Sequence, residues 1–180
     1  MPSSWSSPER RKASPLPLYF AYGSNMDQAA MASRCPASKL LGQARLPRHR
    51  FVITSDGYAS VARDPRLTVW GLVWDLALAD VAALDRYEAI GSGLYAKATQ
   101  AVLTDSGPRR ALMYIAKARE FGVPRENYLE GVCAAARAAG LPADYVRQLE
   151  AWSPHFQPSA PASRPAVRPL FSSPLARTSR

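Results

Sequence analysis

Apolar and polar positions alternate with a period of two in some stretches and near 3.6 in others, and the changes of period mark the predicted elements. Leu18-Tyr19-Phe20-Ala21-Tyr22 follows Pro17 and predicts a short, aromatic-rich strand. Gly23-Ser24-Asn25 is a turn signal, and Met26–Cys35 behind it predicts a helix that stops before Pro36. Leu40–Leu46 and Phe51–Thr54 are strand-like, separated by the basic, proline-containing stretch Pro47–Arg50, with a turn at Asp56-Gly57. Val69–Trp74 carries the strongest strand signal, and Gly71 inside it predicts a bulge or a close backbone approach. Asp80 is placed to cap a helix over Val81–Tyr87. Tyr95–Leu103 and Arg110–Ala116, joined at Asp105-Ser106-Gly107-Pro108, predict a hairpin. Two helices close the pattern: Glu126–Ala139, ended by Gly140, and Ala143–Trp152, begun after Pro142. Strands and helices in this mixed order predict an α+β domain.

Composition narrows the picture. The chain has 180 residues, 47% apolar and 21% charged, which suits one domain with a substantial core. No apolar run reaches the roughly 18 residues of a membrane span, and the Ser/Pro-rich start lacks the apolar stretch of a secretory signal. The formal charge of +9 invites a nucleic-acid reading until its location is examined. Arg10, Arg11 and Lys12 against Glu9 give residues 1–17 a net +2, and Arg164, Arg168, Arg177 and Arg180 give residues 158–180 a net +4. That leaves +3 for residues 18–157. Nine of the 16 prolines lie in the same two end segments. Such ends bury too little apolar surface to offset ordering entropy, so 1–17 and 158–180 are expected to be disordered tails around one domain, 18–157. Specific nucleic-acid binding is not expected of that domain, nor a membrane partner. The two cysteines, Cys35 and Cys133, form neither a disulfide framework nor a zinc spacing, which fits a reduced, cytoplasmic setting.

Two places carry candidate chemistry. Tyr22-Gly23-Ser24-Asn25 joins a strand to a helix, where a glycine admits close backbone approach and unpaired N–H groups favour an anion or a developing oxyanion. Glu88 ends a predicted helix, where a carboxylate opposes the helix dipole, so helix stability does not account for it. Ser24 is a poor nucleophile candidate, because Tyr22 and Met26 stand where a nucleophile elbow needs glycines. His49 and His155 lie in polar, turn-like contexts and read as surface residues, and no metal spacing links them to the cysteines. Cys133, followed by Ala134–Ala136, reads as a packing residue.

Together these segments resemble the γ-glutamylcyclotransferases. Tyr19–Met26 resembles the opening motif of that family. Leu84-Asp85-Arg86-Tyr87-Glu88, followed by Ser92-Gly93-Leu94-Tyr95, resembles its catalytic-glutamate segment and the turn behind it. Trp70–Trp74 is similar to the strand before that segment, and Leu141–Tyr145 with Leu149 to the entry of the C-terminal helix. The resemblance covers roughly 18–157. It implies a compact mixed β-barrel flanked by helices, with a ligand cavity between the Tyr-Gly-Ser-Asn loop and the glutamate. It also implies conversion of a γ-glutamyl compound to 5-oxoproline with release of an amino acid or amine, and no cofactor or metal. Glu88 takes the acid/base role on this analogy; Tyr22, Gly23, Ser24, Asn25 and Met26 line the substrate cradle, and Tyr128 contacts substrate. Tyr95 and Tyr114 are further pocket candidates. Ala89 stands where the family often has Gly, and Met26 where it has Leu. Pro47–Arg66 shows little match beyond Gly57–Val61, leaving that wall of the pocket unassigned.

A γ-glutamyl group carries its own nucleophile, the α-amine, so ring closure needs no covalent Ser or Cys. One carboxylate can take a proton from the amine and return it to the leaving nitrogen if its pKa lies near neutrality, and apolar and aromatic neighbours are expected to raise Glu88 that far. The loop N–H groups would hold either the substrate α-carboxylate or the oxyanion. γ-Glutamyl amino acids are favoured over glutathione and γ-glutamylamines, and the protein is expected as a monomer or homodimer. The rival is a cyclotransferase-like module that binds an anion or γ-glutamyl ligand without turnover.

Overall fold

A computed structural model describes residues 17–88, 93–118 and 120–153. Residues 1–16 and 158–180 of the expected tails, residues 154–157 with His155, and residues 89–92 between Glu88 and Gly93 lie outside the described residues. Five strands form a closed barrel in the order β1-β3-β2-β4-β5: β1 Leu18–Ala21, β2 Lys39–Ile53, β3 Ala59–Asp75, β4 Tyr95–Thr104 and β5 Gly107–Ala116. Every pairing is antiparallel except that of β1 with β5, where Leu18 meets Ala111 and Tyr19 meets Leu112. That parallel contact closes the barrel and makes it mixed. Four helices flank it: α1 Gln28–Arg34, α2 Leu78–Tyr87, α3 Tyr128–Ala138 and α4 Ala143–Glu150. None of the helices is long and apolar enough to cross a membrane among the described residues.

Local sequence accounts for most of these elements. β1 is paired on both edges, with β3 and β5, and its successive residues Tyr19, Phe20 and Ala21 are all buried, so both of its faces are covered. The β4–β5 hairpin turns at Asp105-Ser106, with Thr104 opposite Gly107. α4 presents Tyr145, Val146 and Leu149 to the core at helical spacing. Cys133 is buried in α3, and burial pushes its thiol up to about 11.

Four expectations need correction. Met26 does not open a helix: Ser24–Met26 is a 3₁₀ turn, and α1 begins at Gln28, capped by the Asp27 carboxylate accepting from the N–H groups of Ala29 and Ala30. Pro47–Arg50 does not interrupt the chain's second strand. β2 runs through it with a bulge, Arg48 standing at φ 59°, and a bulge is where a strand tolerates proline. Across this irregularity, where Pro47 pairs with Thr68 but His49 with Arg63, the inward parity of β2 changes, from Ala44 and Leu46 before it to His49, Phe51 and Ile53 after it. His49 is therefore buried, its Nδ1 2.9 Å from the Pro47 carbonyl oxygen, and is not a surface residue. Asp80 is not the cap of its helix either. Ala77 holds that position, and buried Asp80 in the first turn accepts from the Ala37 N–H (3.0 Å) and Ser38 Oγ (2.7 Å), tying α2 to the loop after α1.

Gly71 fulfils the expectation of close approach. A Cβ there would lie 2.2 Å from the Ala21 carbonyl oxygen and 2.9 Å from the Phe20 ring. The end of β1, and the loop that follows it, can sit where they do because residue 71 has no side chain. Gly71→Ala is expected to cost about 3 kcal/mol through overpacking, whereas Gly131→Ala, in open space on α3, should gain roughly 0.5–1 kcal/mol of helix propensity. Urea denaturation of the two variants checks the contrast.

Candidate active site

One mouth of the barrel gathers the ends of β1 and β5 and the starts of β3 and β4. Over it sit the last residue of the α2 turn, Glu88, and the first residue of α3, Tyr128. These elements enclose a cleft lined by Tyr19, Tyr22, Gly23, Ser24, Asn25, Ala59, Glu88, Tyr95, Tyr114 and Tyr128, with about 300 Å³ of space continuous with solvent. A second chamber opens outward from it. Ser24, Glu88, Tyr95 and Tyr128 belong to both chambers, and Tyr58, Tyr87 and Leu94 complete the outer wall.

Glu88 is placed by the helix that ends on it. Its N–H bonds back to the Leu84 carbonyl at 2.9 Å, and Asp85 one turn earlier accepts from Tyr114 Oη and Lys97 Nζ, both at 2.6 Å. This clamp fixes the end of α2 against β4 and β5. The Glu88 carboxylate then accepts from Asn25 Nδ2 at 2.7 Å, and the same amide nitrogen donates to Tyr19 Oη at 2.8 Å. Burial pushes Glu88 up to about 7; the Arg34 guanidinium and hydrogen bonds from Tyr19 and Asn25 pull the other way without cancelling it. A carboxyl poised there can both accept and return a proton near neutral pH.

The tyrosines are held as firmly. Tyr22 donates to the Tyr114 carbonyl, so its hydroxyl is committed to the barrel. Tyr95 donates to the Ala59 carbonyl at 2.7 Å, while the Ala59 N–H donates to Tyr128 Oη at 3.2 Å. Two hydroxyls thus grip one peptide at the start of β3. Burial raises the pKa of Tyr19, Tyr22, Tyr95 and Tyr114, and takes Tyr128 to about 12. All five stay neutral at physiological pH. A Cβ on Gly23 would stand 3.2 Å from the Ala59 Cβ and 3.3 Å from Tyr128 Oη, so the loop uses glycine to fit beneath Tyr128. The N–H groups of Ser24 and Asn25 open the 3₁₀ turn and have no partner within it, whereas that of Met26 donates to the Gly23 carbonyl at 3.0 Å.

The structure therefore brings together Tyr22, Gly23, Ser24, Asn25, Glu88, Tyr95, Tyr114 and Tyr128. Met26 is set apart. It is 1% exposed and packed in the hydrophobic core, turned away from the cleft because the 3₁₀ turn directs its side chain inward. Tyr19 and Ala59 line the cleft without having been singled out by sequence. Tyr19 lies inside the aromatic strand and reads there as core, and Ala59, within the short matching stretch Gly57–Val61, has a methyl side chain that carries no chemistry of its own. Among the described residues no cluster of His, Cys, Asp or Glu could hold a metal ion.

Residues 68–149 match the AIG2-like family. A bovine γ-glutamylcyclotransferase is 30% identical over 149 residues, 77% of this chain and 79% of the relative. The chain belongs to the γ-glutamylcyclotransferase family. The human γ-glutamylcyclotransferase is 29% identical over the same shares. A solved structure titled γ-glutamyl cyclotransferase superposes with a TM-score of 0.71 at 27% identity, covering 82% of this chain and 94% of that one. The AIG2-like match contains Glu88, Tyr95, Tyr114 and Tyr128 but not the Tyr22–Asn25 loop. In this cyclotransferase-family fold that loop is delivered from upstream by β1.

Burial of Glu88 has a stability consequence. Its folded pKa of about 7 exceeds the ordinary 4.5, so the folded protein keeps a proton that the unfolded chain releases first. Stability is then greatest below pH 4.5 in this respect and falls as pH rises through 7. Glu88→Gln, which cannot ionise, should match the parent near pH 4.5 and exceed it by roughly 2–3 kcal/mol above pH 8. Paired thermal melts across that range measure the difference.

Proposed function

We propose that this protein is a γ-glutamylcyclotransferase acting on γ-glutamyl amino acids, with Glu88 as the group that moves the proton. The observation that carries the reading is a single carboxyl, raised to about 7, held by Asn25 at 2.7 Å in a cleft otherwise walled by neutral tyrosines. The bovine and human relatives, both named γ-glutamylcyclotransferase, support it.

In this reading the γ-glutamyl group folds within the inner chamber so that its α-amine faces its own γ-carbonyl. Proximity supplies much of the barrier reduction. Glu88 as carboxylate takes a proton from the α-ammonium; the freed amine attacks the γ-carbonyl; Glu88 returns that proton to the departing nitrogen and then takes the second proton that the attacking nitrogen sheds on becoming the lactam N–H, passing it to the released amine, which leaves as its ammonium. The C–N bond to the leaving amino acid breaks as the lactam C–N bond forms, giving 5-oxoproline. The N–H groups of Ser24 and Asn25 are the donors suited to a substrate carboxylate or to the oxyanion. The leaving amino acid occupies the outer chamber against Tyr58, Tyr87 and Leu94. No metal or cofactor enters the scheme. The two free, buried cysteines are compatible with a cytoplasmic setting.

Assay of 5-oxoproline release across γ-glutamyl amino acids, glutathione and γ-glutamylamines tests the activity and its substrate together. Glu88→Gln, still folded, should lose at least about 10²-fold in kcat. In the parent, kcat/KM should rise with pH through a midpoint near 7 as Glu88 ionises. Thermal stabilisation by γ-glutamyl ligands with no 5-oxoproline formed would instead mark a binding module.

A further inference from the structure

Glu88 reaches Arg34 through one residue. The Asn25 side-chain amide spends both of its protons, one on Glu88 and one on Tyr19, and its Oδ1 accepts from Arg34 Nη1. A primary amide can be turned over with little change in shape, and the turned form would set Oδ1 against the Glu88 carboxylate, acceptor against acceptor. A guanidinium has donors only, so it can meet Oδ1 and never the NH₂ group. Arg34 is itself held in place. Its guanidinium carbon lies 3.3 Å from the Tyr87 ring centroid, and Tyr87 Oη is 3.0 Å from Ser24 Oγ. The cation, the amide and the carboxylate thus run from the end of α1, through the 3₁₀ turn, to the end of α2.

We propose that Arg34 is a positioning residue for Glu88: it locks the Asn25 amide in the orientation that donates to the carboxylate and supplies the positive charge that favours its ionised form. The other titratable groups facing Glu88 are Tyr19 from β1, Tyr22 from the loop after it, Tyr95 from β4, Tyr114 from β5 and Tyr128 from α3, all neutral near pH 7. On α2 itself, Asp85 is paired with Lys97 and accepts from Tyr114. Among the described residues Arg34 is the cation whose charge acts on Glu88. The catalytic meaning of this device rests on the proposed cyclotransferase reaction, but its physical effect on Glu88 does not.

The decisive measurement is the titration of the Glu88 side-chain carboxyl, followed by carbon NMR in substrate-free protein, for the parent, Arg34→Met and Arg34→Lys. Arg34→Met should raise the Glu88 midpoint by about 1 pH unit, and Arg34→Lys should bring it most of the way back. The acid limb of kcat/KM should move by the same amount, with kcat falling about tenfold or more and KM changing less. An unchanged Glu88 midpoint in Arg34→Met overturns the proposal. If that variant does not fold, Arg34→Gln, neutral but retaining a donor, carries the same expectation and the same refutation. A parent that forms no 5-oxoproline would defeat the proposed reaction while leaving the shift of Glu88 to decide the role of Arg34.

Discussion

A carboxyl group taken out of water must give up its charge or have that charge compensated. Glu88 does part of each. The cleft that removes it from solvent is made of tyrosine rings, and the amide that meets it can reach only one of its oxygens. The rest of the site follows from that compromise. Asn25 must present its nitrogen, so something must occupy its oxygen; the end of α2 must not fray, so Asp85 is clamped by Tyr114 and Lys97. Of the tyrosine hydroxyls beside the carboxyl, that of Tyr19 bonds to it, while those of Tyr22 and Tyr95 are spent on backbone carbonyls.

The barrel makes these demands compatible by bringing distant segments to one mouth. β1 is only four residues long, yet it pairs with β3 on one edge and β5 on the other, and its last residue leads directly into the Tyr22–Asn25 loop. The loop end of β1 is held by the ladder to β3, which runs through Ala21, and its first residues by the ladder to β5. Gly71 belongs to this constraint as much as Gly23 does. One lets the strand come close and the other lets the loop pass beneath Tyr128.

What could be read from sequence was local chemistry. The aromatic strand, the β4–β5 hairpin, the glycine at 71 and the helices after residue 127 announce themselves through neighbours in the chain. Glu88 was conspicuous for a physical reason, a carboxylate at the unfavourable end of a helix dipole. The bulge at Arg48 was not legible, because proline and arginine there look like a loop until the ladder to β3 is known. For the same reason His49 passed for a surface residue. Met26 was drawn into the cradle by its neighbours in the motif, whereas a 3₁₀ turn advances about 120° per residue and sends it to the core. Tyr19 is one of a run of buried aromatics in β1, and Arg34 is a basic residue in the last turn of α1, where it suits the helix dipole. Both descriptions are true, and both hide the contacts that tertiary structure adds.

A stronger base would not make a better site. Had Glu88 been buried with no cation and no donor, its pKa would stand higher and, in the proposed reaction, little carboxylate would exist near neutrality to take the first proton. Had it been fully paired, its pKa would fall toward the ordinary range, and the protonated form that the proposed reaction needs at the leaving nitrogen would be scarce. Proton transfer in both directions is served best when neither form dominates. Desolvation by the tyrosine walls and the opposing pull of Arg34, Tyr19 and Asn25 place Glu88 between those limits. The opposing contributions come from different elements, the barrel for one and the loop with α1 for the other. The proton affinity of the site is therefore a property of how the barrel, the loop and the two helix ends are assembled, and no single segment of the chain contains it.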